Sequence, residues 1–106
     1  MAKYLIQGSY TVDGVKGVLK EGGTGRRKAV ESAVKALGGR LDAFYFALGE
    51  DDVVAIVEAE SNISAATFAM GVAATGTVRT KTTVLLTPEE VDEAAKKTMS
   101  FRAAGQ

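Results

Sequence analysis

The chain has no histidine and no cysteine among its 106 residues. The commonest general base, the commonest metal ligand and the thiolate nucleophile are therefore missing, and no disulfide can form. Acid–base chemistry would fall to Asp, Glu, Lys or Tyr. No bound transition metal and no cofactor is expected. Three groups of residues remain. Glu50, Asp51 and Asp52 are consecutive acids; a Ca²⁺ or Mg²⁺ site wants about six converging oxygens, and adjacent side chains rarely aim at one point, so solvated turn acids are the expectation. Gly22-Gly23-Thr24-Gly25-Arg26-Arg27 places glycines and two arginines before a helix. Such a start favours anions, but it matches neither phosphate-loop spacing and no strand immediately precedes it. Arg26 and Arg27 are the candidate anion contacts, against a plain solvated helix start or an intersubunit ion pair. The third group is long-range. Gln7, Ser9, Tyr45, Arg79 and Lys81 fall on one face of the expected sheet, where a few polar groups among apolar ones suit either a small-molecule pocket or interface hydrogen bonds.

The elements that must position these residues follow from periodicity. Lys3–Thr11 alternates, with Tyr4, Ile6, Gly8 and Tyr10 on one face, and reads as a strand. Gly8 marks a bulge or a close approach. Val12–Leu19 is a short helix or an irregular turn, weakened by Gly14 and Gly17, and Lys20–Gly25 is a break. Val30, Ala33, Val34 and Leu37 then form the stripe of a main helix, with Thr24 as its expected cap and Gly38-Gly39 as its stop. Asp42–Ala59 reads as a hairpin turning tightly at Gly49–Asp52, with glycine there for an unusual backbone angle. Phe44, Phe46 and Leu48 share one face of its first strand. Its second strand, Val53–Ala59, is apolar on both faces, so both faces are expected to be covered. Ser61 or Asn62 opens a charge-free helix ending at Gly76, which should be buried, with Met70 as core filler. Thr77–Leu86 is a fourth strand. Thr87-Pro88-Glu89-Glu90 spells a capping box with proline at the first helical position, and Val91, Ala94, Ala95 and Thr98 form the third helix's inner stripe. The tail after Ser100 frays, with Phe101 able to dock. The order β-α-β-β-α-β plus a C-terminal helix predicts an α+β, ferredoxin-like sandwich on a four-stranded antiparallel sheet, one domain over residues 1–106.

Around the hairpin, Phe44-Tyr45 through Gly49-Glu50-Asp51-Asp52 and Val53-Val54-Ala55-Ile56-Val57-Glu58 resemble the GYD-domain family. The likeness extends to Arg26, Leu37-Gly38-Gly39, Gly76, Val78-Arg79-Thr80 and Thr87-Pro88-Glu89-Glu90. It covers nearly the whole chain. Asp51 stands where the family's motif has its tyrosine, so no role of that tyrosine carries over. The resemblance implies a small ferredoxin-like domain and no established reaction. Similar dimeric α+β barrel proteins include cofactor-free oxygenases and ligand binders, although a shared fold does not transfer function.

Composition narrows the partners. Lys+Arg and Asp+Glu balance at 13 each, without the basic excess of a nucleic-acid or anionic-membrane binder. No apolar run approaches the ~20 residues of a membrane span, and no leader pattern opens the chain, so a cytoplasmic protein is the expectation. The functional expectation is a small non-catalytic homo-oligomer, most simply a dimer, packed through its sheet and able to bind a small organic ligand there. The alternative is a cofactor-independent monooxygenase or isomerase of the dimeric α+β barrel type, with Tyr45 or Arg79 in its pocket.

Overall fold

A computed structural model describes all 106 residues. The elements run β1 (Ala2–Tyr10), α1 (Val12–Ala36), β2 (Arg40–Phe46), β3 (Val53–Ala59), α2 (Asn62–Ala74), β4 (Val78–Leu85) and α3 (Pro88–Lys96). The four strands form one open antiparallel sheet in the order β2-β3-β1-β4. This is the ferredoxin-like α+β arrangement expected from the split βαβ pattern. The strand alternation places Tyr4 and Ile6 of β1 with Ala55, Val57 and Ala59 of β3 under the helices. Val34 of α1 and Ala65 of α2 close the core from above, with Phe44, Leu41 and Phe68 packed at its margin. The buried Tyr4 hydroxyl donates to Asn62 Oδ1 at 2.6 Å, which ties β1 to the start of α2 while Ser61 supplies the cap.

Helix α1 is two helical segments that meet at a kink, each reaching further than the sequence predicts. It begins at Val12, capped by Thr11, whose hydroxyl accepts from the Gly14 amide at 3.2 Å. Thr24 is therefore inside the helix and caps nothing. The break predicted over Lys20–Gly25 contracts to one residue, Gly22, at φ 82° and ψ 165°. Only glycine takes that conformation at no steric cost, so the helix kinks there and resumes. Gly14 answers a different demand. The Thr77 carbonyl lies against its Cα, and a Cβ would stand 2.0 Å from that oxygen. The same carbonyl accepts from the Thr11 amide at 2.9 Å, so the start of α1 is seated on the connection between α2 and β4. Gly8 is a close approach and not a bulge, since a Cβ there would meet Val53 and Val78 methyls at 2.9 Å.

Other expectations are corrected. Strand β2 ends at Phe46, which leaves Leu48 exposed in a six-residue loop, and Gly49 has no positive φ. Helix α2 is charge-free but not buried: only Ala65 is, while Ile63 and Met70 are 79% and 73% exposed. Helix α3 has its capping box and its proline, yet none of its residues is buried and it lies away from the other elements. Its expected inner stripe therefore has nothing to face, and Phe101 does not dock. With α3 standing off, the radius of gyration is 17.0 Å, against about 13 Å for a compact chain of this length.

Candidate functional site

Both α1 and α2 lie on the Tyr4–Ile6 side of the sheet, which leaves the opposite side open. Register fixes what stands there. One cross-strand row reads Lys81, Gln7, Val54, Tyr45, and the next reads Thr83, Leu5, Ile56, Ala43. The middle of the open face is thus apolar: Leu5, Val54 and Ile56 are half-buried by their neighbours, and the Tyr45 ring is exposed beside them. Charged groups stand at both ends.

At one end a β-bulge between Leu41 and Ala43 sets Asp42 out of register. An extra residue on one strand re-aims its side chain. Here it brings the Asp42 carboxylate between Lys3 Nζ at 2.6 Å and Arg40 Nε at 2.7 Å. Glu58 closes the ring, 3.3 Å from Lys3 and 2.9 Å from Arg40. The hydrogen bond from Lys3, reinforced by Arg40, holds the Asp42 carboxyl below the usual carboxylate range. Lys3 and Arg40 are held above their ordinary values, each chiefly by its bond to Asp42.

At the other end the three consecutive acids part: the Glu50 side chain is exposed as expected, whereas Asp51 and Asp52 are engaged. Asp51 accepts from the Ser9 hydroxyl at 3.2 Å and pairs with Lys81 at 3.2 Å. Asp52 accepts from the Tyr10 amide at 2.8 Å, and its own amide donates to the Gly8 carbonyl at 2.7 Å, so the loop is stitched to β1. The backbone carbonyl of Glu50 also takes a longer bond from Ser9. Asp51 is therefore an ion-pair partner of β4. Ser9, Glu50, Asp51, Arg79, Thr80 and Lys81 line a polar groove of ≈ 250 Å³ with no apolar wall.

The five residues predicted to share this face all do so, but they do not converge. Ser9, Arg79 and Lys81 meet at the groove, Gln7 lies opposite Lys81 one step along β1, and Tyr45 is a further strand away across Val54. The two predicted anion contacts also part. Arg27 is exposed and borders Leu41–Tyr45 on the outside of β2. Arg26 turns inward, where it pairs with Glu21 at 3.0 Å and borders an apolar cleft between the helices and the sheet. Tyr10 shares that cleft, its ring stacked 6.5 Å from Phe46, which in turn meets Phe44 edge-on at 5.4 Å. Burial raises the Tyr10 phenol above its ordinary pKa, and the neighbouring Arg26 offsets this only in part.

Sequence reasoning missed the Lys3–Arg40–Asp42–Glu58 ring, because nothing in the period-2 pattern announces a bulge. It also missed the pairing of Tyr10 with Arg26. A signal for that one exists: Arg26 precedes Val30 by four residues, on the same stripe as Val34 and Leu37, and Tyr10 shares the parity of Tyr4 and Ile6.

Neither the curated proteins nor the solved structures gave a match to this chain. No helix is long and apolar enough to cross a membrane. The GYD domain family model matches residues 4–95, which takes in the sheet but for the first two residues of β1, both α1 and α2, and most of α3. Coverage of that extent settles the affiliation, and the chain belongs to the GYD-domain family.

Proposed function

We propose that this chain is the subunit of a homo-oligomer, most simply a dimer, whose copies meet through the open face of the sheet, and that its role is that of an assembling module and not of a catalyst. The observation that carries this reading is the layout of that face, an apolar centre of Leu5, Val54, Ile56 and Tyr45 between two charged ends. An apolar core with a polar rim is the anatomy of a protein interface. A contiguous apolar patch is seldom left in water, and covering it recovers about 25 cal/mol per Å², less the cost of association. A two-fold contact uses the same patch on both copies, and a sheet face presents such a self-complementary surface.

Two substitutions on β3 test it. Val57 is 4% exposed in the core, whereas Val54 is on the open face. Val54→Lys should leave the subunit folded and sedimenting near 11.0 kDa, with the wild type near twice that mass at micromolar concentration. Val57→Lys should unfold it, because an unpaired charge cannot be accommodated in the core. A wild type that sediments as a clean monomer overturns the proposal. So does a Val54→Lys dimer that Met70→Lys dissociates, since assembly would then run through the exposed face of α2.

A further inference from the structure

The cleft on the helix side of the sheet is a site of its own, separate from the proposed interface. Its walls are Ile6, Phe44, Phe68, Val72 and Val78, and Arg26 and Tyr10 border it. The polar groups here are donors. Arg26 is always a cation with five N–H groups, of which Glu21 engages one nitrogen. Tyr10, with its pKa above the ordinary phenol value, keeps its proton at neutral pH. A cation and a phenol bordering an apolar slot suit an oxygen acceptor carried on an apolar body.

The chain shows the acceptor it would take. The Glu21 carboxylate, one residue before the kink at Gly22, lies on the Arg26 guanidinium at 3.0 Å. Glu21 is on the exposed side of the helix, so this pair is a weak one that an incoming carboxylate can replace. Asp52, which also bears on Tyr10, is committed to the Tyr10 amide. Size limits the rest of the ligand. The cleft, open at its mouth, offers ≈ 50 Å³, whereas benzene occupies an apolar cavity of about 150 Å³, so only a short alkyl end enters and the carboxylate stays at the mouth. We infer that the cleft between α1, α2 and the inner face of the sheet binds a short-chain aliphatic monocarboxylic acid, its carboxylate exchanging with Glu21 on Arg26 and its chain lying among Ile6, Phe68, Val72 and Val78.

Titration of the ¹⁵N- and methyl-labelled full chain with butyrate, and in parallel with 1-butanol, tests this by NMR. Millimolar butyrate should shift Ile6, Phe68, Val72 and Val78 and leave the open-face signals of Val54 and Ile56 unmoved. Butanol, which has the chain without the charge, should bind about ten-fold more weakly or worse, as should butyrate to Arg26→Gln, because hydrogen bonds to charged groups carry that much. Glu21→Gln removes the internal competitor and should tighten butyrate about two- to five-fold. Val72→Phe keeps Arg26 but fills the slot, and should abolish the shifts. The inference is overturned if folded protein shows no cleft shifts, if butanol matches butyrate, or if Arg26→Gln or Val72→Phe binds like the wild type.

Discussion

Gly14 and Gly17 look alike in the sequence, and the same substitution at the two should have opposite signs. Both sit in the first half of α1, and replacing a helical glycine with alanine removes unfolded-state freedom worth about 1 kcal/mol. At Gly17 nothing lies within 4 Å of where the Cβ would stand. Gly17→Ala should therefore keep most of that gain, about 0.5–1 kcal/mol. At Gly14 the new methyl would stand 2.0 Å from the Thr77 carbonyl oxygen and 3.0 Å from its carbon. That neighbour is backbone and cannot swing away. It also accepts from Thr11, and Thr11 caps the helix through the Gly14 amide, so any retreat strains the cap as well. Overpacking of this kind costs about 1–3 kcal/mol, more where the backbone must move, and it outweighs the propensity gain. The expected outcome is a rise of several degrees in Tm for Gly17→Ala and a fall of similar or larger size for Gly14→Ala, at about 4–8 °C per kcal/mol for a chain near this size. Both variants and the wild type should be melted at one protein concentration, because association would otherwise enter the comparison. Equal responses at the two positions, or a stabilised Gly14→Ala, would refute the claim that α1 is seated on Thr77.

Three further outcomes are expected. Thr87→Ala removes half of the capping box and should weaken α3 locally by about 1 kcal/mol; because α3 lies apart from the body, faster amide exchange at Glu90 and Val91 should report this while the global urea midpoint stays put. Asp42 is ionised more readily in the folded chain than its ordinary value of 3.8 allows, so its contribution is fully present above pH 3.8 and is lost as pH falls through the lower folded value; an NMR titration of its carboxyl with a midpoint at or above 3.8 would contradict the ring. Asp52→Ala leaves the Tyr10 amide without its charged acceptor and should cost about 1.5–3 kcal/mol by denaturant unfolding, whereas Asp52→Asn, which keeps an acceptor oxygen, should recover much of it.

The strands were legible because their signal is a parity. Tyr4, Ile6, Gly8 and Tyr10 against Lys3, Leu5, Gln7 and Ser9 told the two faces of β1 apart, and the apolar run Val53–Val57 marked β3. The cap at Thr87 was legible for a similar reason, since its motif is local and complete within four residues. What failed depended on distant partners. Thr24 has the chemistry of a cap, but the second segment of α1 resumes directly after Gly22, and the first is capped by Thr11, which Gly76 and Thr77 hold from more than sixty residues away. The apolar character of α2 predicts burial, but composition says what a helix prefers and not how much neighbour is present to cover it. The bulge at Asp42 left no trace in the alternation, and with it went the ion-pair ring. At the site, strand parity put Gln7, Ser9, Tyr45, Arg79 and Lys81 on one face correctly, but parity carries no distance across strands and could not tell the meeting of Ser9 with Lys81 from the isolation of Tyr45.

The ring of Lys3, Arg40, Asp42 and Glu58 has two cations and two anions, each bonded to both of its opposites within the same chain. Such a ring sums to no charge and presents only a short-ranged field, which about 8–10 Å of physiological salt solution screens out. A second copy approaching this end of the sheet is therefore neither drawn in nor turned away by it. Encounter would proceed at the unsteered rate, about 10⁵–10⁶ M⁻¹s⁻¹, and would be nearly indifferent to ionic strength. Acid changes this. Protonating Asp42 takes a negative charge out of the ring and leaves its cations in excess, and two such ends meeting across a symmetry axis would repel. If two subunits meet as proposed, the ion cluster at this end would add no steering at neutral pH and a repulsion in acid.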